Sequence, residues 1–275
     1  PYLLIRIAVR ELTPATLVFA RTAPAALLLL PLAVRRGQLR PLLARWPAVV
    51  AYTGVELAIP WLLLSRAEQH LSSSLAALLV ATVPLIGAVL AWATRDADRL
   101  DARRVAGLVA GFGGVVALVG IDVGGAGRLA VGEVLLVAVG YATGPFIISR
   151  RLTGLPALGV VTASLAITAI AYAPVALTHP PHHLSAEVAG SVAVLALVCT
   201  ALAFVLFFAL IAEAGPARAT VITYLNPAVA LVLGIGLLGE PFTAGIAVGF
   251  PLVLAGSVLA TGGVRPRDAR TLAGP

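Results

Sequence analysis

The chain has 275 residues, 60% of them hydrophobic and only 11% charged, with a mean hydropathy of +1.03 and a formal net charge of +7. A soluble globular domain carries about 25% charged residues, so a soluble enzyme, a disordered tail and a secreted disulfide scaffold are excluded. Cys199 stands alone, so no internal disulfide forms.

The apolar residues fall in blocks of about twenty, the length that crosses a bilayer. In chain order they cover 1–9, 14–34, 47–67, 73–93 and 105–121, then 131–149, 158–177, 189–212, 218–238 and 244–263. The first is too short to cross a hydrocarbon layer of about 30 Å at roughly 1.5 Å per residue. It reads as the outer half of a truncated helix, in a chain that opens mid-pattern on Pro1-Tyr2-Leu3-Leu4. No charged n-region or small-residue cleavage site makes it a signal peptide.

All basic residues are Arg, and they alternate between loops. One set of loops and the tail holds Arg35, Arg36, Arg40 and Arg45, then Arg95, Arg99, Arg103 and Arg104, then Arg150 and Arg151, Arg218, and Arg265, Arg267 and Arg270. The other set holds only Arg10, Arg66 and Arg128. The positive-inside bias puts the Arg-rich loops in the cytoplasm and predicts ten spans in the cell (inner) membrane with both termini cytoplasmic. The positive charge is thus a topology signal and an attraction to membrane lipid; no basic face with interleaved aromatics is available for nucleic acid.

The two halves align at a shift of 142–143 residues. Pro84 falls on Pro227, Asp98 on Glu240, Gly107 on Gly249 and Gly114 on Gly256. Residues 1–121 make the first repeat, 122–263 the second and 264–275 a cytoplasmic tail. With five spans per half, the second half must enter the membrane inverted. The arginines agree, since Asp98 lies in an Arg-rich loop and Glu240 in one with none. Inverted repeats around a midplane site are a recurring architecture of secondary transporters.

The stretches Pro14-Ala15-Thr16-Leu17-Val18-Phe19-Ala20-Arg21, 74–119 and 217–261, with Leu238-Gly239-Glu240-Pro241-Phe242 followed by Gly249 and Gly256, resemble the EamA-type transporters of the drug/metabolite transporter superfamily. Asp98 departs from that pattern, which usually has Glu there. The resemblance implies an all-α bundle of ten membrane helices around a central cavity, walled mainly by the third, fourth, eighth and ninth. It implies alternating access without an ATP-binding domain, and no GxxxxGK[ST] occurs. No cofactor or metal is called for, and a homodimer is not indicated.

Glu56 lies near the middle of the third span, where a carboxylate by default marks a pathway, a proton relay or a buried partner. Tyr52, one turn earlier, shares its helical face. Glu56 is the candidate for substrate binding and proton coupling; the plain alternative is a hydrogen-bonded residue that stitches helices. Arg21 reads as a structural charge, because the family carries Arg there regardless of substrate; its other options are pairing with Glu56 or with an anionic substrate. Asn226 before Pro227, and Thr82 before Pro84, offer polar groups at expected helix breaks. Trp61, Tyr141 and Tyr224 are candidate cavity aromatics. Gly107-x-x-x-Gly111 and Gly245-x-x-x-Gly249, with Gly113 and Gly114, allow close helix packing. Glu68, Glu133 and Glu213 fall near span ends and read as ordinary interfacial acids.

The expected function is export of a small metabolite or drug-like substrate by secondary transport, coupled to protons through Glu56. The alternative is a polytopic membrane enzyme acting on a lipid-linked substrate. That reading needs convergent acids, and Asp96, Asp98 and Asp101 instead alternate with arginines.

Overall fold

The computed structural model describes residues 1–94, 101–122, 125–181, 183–214 and 222–261. Asp96, Asp98, Arg218 and the tail 264–275 lie outside the described residues. Among those described, every regular element is helical. In chain order they are α1 (Tyr2–Ala8), α2 (Pro14–Arg35), α3 (Arg40–Ala67), α4 (Ser73–Ala93), α5 (Ala102–Asp122), α6 (Gly125–Arg151), α7 (Ala157–Thr178), α8 (Ala186–Leu210), α9 (Ile222–Leu238) and α10 (Ala244–Ala260). Seven of them, α2 to α8, are long and apolar enough to cross a membrane. Their outer faces are apolar, with Ile170 and Leu177 each 72% exposed, as befits contact with lipid rather than water.

Local chemistry sets the helix ends. Thr13, Ser72, Ser185 and Thr243 each accept a hydrogen bond from the backbone N–H three residues on, opening α2, α4, α8 and α10. Gly239 closes α9 at φ +64°, a conformation side-chain-bearing residues avoid. The expected breaks divide. At Pro84, α4 is interrupted over Ala81–Thr82. At Pro227, α9 continues without a break, so Asn226 is not at a helix end. A proline removes one backbone hydrogen bond, and a helix embedded among neighbours absorbs that loss without stopping.

Packing follows a regular scheme. Helices α2 and α7 lie together, as do α4 and α9, and α5 and α10; α1 packs on α8, and α3 on α6. At the α5–α10 crossing the two backbones approach closely. A Cβ added to Gly107 would fall 2.5 Å from the Ala260 nitrogen and 2.8 Å from the Gly256 carbonyl. One added to Gly114 would fall 2.8 Å from the Gly249 carbonyl, and one added to Gly256 2.5 Å from the Gly111 Cα. Gly113, expected on the same surface, instead faces open space, because one residue along a helix turns the side chain by about 100°.

Glu240, in the turn between α9 and α10, ties that turn to the start of α4. Its carboxylate accepts the Ser73 N–H at 2.7 Å, the Ser74 N–H at 3.0 Å and the Ser74 hydroxyl at 2.5 Å. Burial pushes this carboxyl up, but the hydrogen bonds from Ser74 and Ser73 together outweigh it and hold it below its ordinary 4.5. A pKa depressed on folding adds stability above the unfolded value, lost as pH falls through the folded one. The wild type should therefore melt above Glu240→Gln at pH 7. The difference should shrink as detergent-solubilised protein is scanned below about pH 4.5; a difference that stays constant into acid would contradict the capping role.

Glu68 departs from expectation. It is fully buried rather than interfacial, with neither carboxylate oxygen hydrogen-bonded among the described residues. The chain keeps winding past Ala67, with the Glu68 and Leu71 N–H groups bonding the Leu64 and Ala67 carbonyls, and α1 closes over the turn, Arg6 donating to the Glu68 carbonyl. Glu133 is buried against Arg66 at 3.1 Å, and Glu213 is exposed.

Candidate functional site

Helix α3 is not a uniform α-helix. It opens as a 3₁₀ turn over Arg40–Arg45 and passes through a π-helical turn at Gly54–Ala58 that carries Glu56. Helix α8 contains a second π-turn, at Leu197–Leu202, that carries Cys199 and Thr200. Gly54 and Leu197 open the two turns at the same 143-residue shift that places Pro84 on Pro227. A π-turn inserts one residue per turn, frees backbone carbonyls and is often found at functional sites.

Each π-turn is held by a long helix of the opposite half. At the first, the α7 Tyr172 hydroxyl donates to the Ala58 carbonyl at 2.9 Å, and Thr53 donates to Ser164 at 2.9 Å. At the second, Arg21 of α2 donates through Nε to the Thr200 hydroxyl at 2.8 Å, and Thr200 donates to the Leu195 carbonyl at 2.8 Å. The Arg21 guanidinium also lies over the Trp61 ring, 3.7 Å from its centroid. Arg21 therefore bridges α2, α3 and α8, and forms no ion pair with Glu56. Thr200→Val should leave the fold in place and destabilise it by roughly 1.5–3 kcal/mol, the worth of one hydrogen bond to a charged group, read as a lowered melting temperature.

Helix α6 covers the first π-turn with its glycines. Gly140 lies against the Val55 carbonyl, and Gly144 against the Glu56 carboxylate, so closely that neither position has room for a Cβ. Glu56 Oε2 is buried and has no hydrogen-bond partner among the described residues. Tyr52 is buried one turn before it and close enough to feel its charge, without a hydrogen bond between the two. Tyr141, on the same face of α6, neighbours Glu56, Arg21 and Trp61 and touches both halves of the apolar core.

The structure thus gathers Glu56, Tyr52, Trp61, Tyr141 and Arg21 into one polar centre. Thr82 is fully buried in the α4 break, where its hydroxyl is spent on the Leu79 carbonyl at 2.6 Å. Asn226 is exposed on α9, and the Tyr224 side chain lies outside the described residues. Sequence reasoning missed Thr200, Tyr172, Gly140 and Gly144. Two cavities, of about 540 and 510 Å³, open elsewhere, and none of the candidate site residues lines either. At the polar centre Arg21 lies on the Trp61 ring and Glu56 lies against Gly144 of α6.

The family model described as the EamA-like transporter family matches residues 2–120 and 129–262. No curated protein matches the chain. A solved structure described only as a crystal structure of a protein has a TM-score of 0.66 and 21% identity, over 94% of each chain; that likeness shows the fold alone.

Proposed function

Because the chain belongs to the EamA-like transporter family, and so to the membrane transporters of the drug/metabolite transporter superfamily, we propose that it moves a small organic solute by alternating access, driven by protons that load on Glu56. The observation that carries this reading is the buried, partnerless Glu56 Oε2 on a π-turn. A carboxylate left unpaired at that depth is costly. Proton uptake removes the cost, and so does a cationic or hydrogen-bond-donating solute, which ties occupancy of the site to its protonation.

The rocking element is the inverted repeat. At a shift of 142 residues, Gly107 corresponds to Gly249 and Gly114 to Gly256. Gly107 meets Gly256 and Gly114 meets Gly249, the reciprocal contacts of a two-fold-related pair. The α2–α7 and α4–α9 pairs join equivalent helices, and the α1–α8 and α3–α6 pairs exchange under the same operation. These contacts support ten crossings in two inverted halves, with the two π-turns as matched flexing points. The Arg-rich ends then face the cytoplasm.

The test is accumulation in proteoliposomes of labelled amino acids, nucleosides and cationic drugs under an imposed pH gradient. A member of one class should be concentrated against its own gradient, and a protonophore should collapse the gain. No gradient-dependent accumulation of any class, with turnover of a lipid-linked substrate instead, would overturn the transporter reading in favour of a membrane enzyme.

A further inference from the structure

A feature remote from the polar centre has a chemistry of its own. The cavity of about 540 Å³ opens at the end of the bundle, between the start of α2, the end of α3, the first turns of α6 and the end of α7. Leu62, Leu129 and Val175 form apolar walls, and Leu129 and Val175 are 71% and 44% exposed on the bundle's outer face. Arg66, Gln69, His70 and Glu133 line it as well. Arg66 is the penultimate residue of α3, and Glu133 stands two turns inside α6.

The polar pair is only half used. Arg66 Nε meets Glu133 Oε1 at 3.1 Å, the Arg66 side chain being 54% exposed and that of Glu133 11%. The two Nη groups of Arg66 have no acceptor among the described residues. A guanidinium with spare donors matches a phosphate. A carboxylate held near the headgroup boundary matches an ammonium, and apolar walls open to the lipid side match an acyl chain.

We propose that this groove is a phospholipid site selective for a phosphoethanolamine headgroup. The lipid phosphate accepts from Arg66 Nη, with Gln69 and His70 beside it. The primary ammonium donates to Glu133, and an acyl chain runs along Leu62, Leu129 and Val175. Phosphocholine fits less well, since its trimethylammonium has no N–H to donate. Phosphoglycerol lacks the cation altogether and brings its net negative charge against Glu133. The site is independent of Glu56 and of the transported solute.

Native mass spectrometry of the full-length protein, equilibrated with equimolar phosphatidylethanolamine, phosphatidylcholine and phosphatidylglycerol of one acyl composition, tests this. One phosphatidylethanolamine should be retained in preference to the other two by about tenfold, the worth of one charge-assisted hydrogen bond. Glu133→Gln should erase the preference over phosphatidylcholine while lipid is still retained, and Arg66→Gln should lower retention of all three. Stepwise N-methylation of the headgroup, read on the wild type, needs no variant to fold. Retention should fall with each methyl and fall furthest at the third. Equal retention of the three lipids, a Glu133→Gln protein that keeps the preference, or retention indifferent to methylation would each overturn the proposal. So would glycerophosphoethanolamine without acyl chains competing as well as the lipid, which would make the groove a solute site.

Discussion

Gly144→Ala is expected to abolish most transport while leaving a folded, purifiable protein. The added methyl would occupy the space now held by the Glu56 carboxylate. Because the obstacle is the far end of a side chain rather than backbone, Glu56 can rotate away, and the fold survives at an overpacking cost of about 1–3 kcal/mol. Function does not survive, since the carboxylate is displaced from its seat against Gly144 of α6. Shortening the acid restores room, so Gly144→Ala with Glu56→Asp should recover more flux than Gly144→Ala alone. Equal flux in the single variant and the wild type would show that the α6 contact has no part in transport.

The largest effect on stability is expected at the α5–α10 crossing. Valine at Gly256 would drive its Cβ to 2.5 Å from the Gly111 Cα and 2.6 Å from the Gly107 carbonyl. Both obstacles are backbone and have no rotamer to yield. The helices must separate, and close van der Waals packing is the main force joining helices in lipid. The cost should reach or exceed the upper end of the roughly 1–3 kcal/mol seen for overpacked cores, read as a large fall in melting temperature in detergent. Gly113→Val, on the same stretch of α5 but facing open space, is the control and should melt with the wild type. Equal destabilisation by the two would contradict the reciprocal crossing.

Much of this was legible in the sequence because the bilayer imposes simple rules. Blocks of apolar residues mark spans, and Pro84, Pro227, Gly107, Gly114, Gly249 and Gly256 betray the repeat by their spacing alone. Glu56 stood out because an acid in the middle of an apolar span is rare. The π-turns were not legible. Their signature is one extra residue per turn, which shifts the faces downstream, and in a span apolar on all sides no periodicity remains to reveal the shift. Thr200 was hidden for the same reason: it is an ordinary polar residue until Arg21, 179 positions away, reaches it. Glu68 misled because its place at the end of a span suggested water, whereas the winding of the turn and the cover of α1 bury it. Arg21 read as a structural charge with pairing to Glu56 as an alternative, and only the fold shows that it grips the second π-turn and Trp61.

The coupling role of Glu56 is tested most directly by following the transported solute in proteoliposomes made from wild type and Glu56→Gln, with and without a pH gradient. Glutamine keeps the size and hydrogen-bonding shape of a protonated glutamate and cannot release a proton. The variant should therefore exchange solute across the membrane at a rate near that of the wild type, yet fail to accumulate it when the gradient is imposed. Gradient-driven accumulation by Glu56→Gln equal to that of the wild type would contradict proton coupling through this residue.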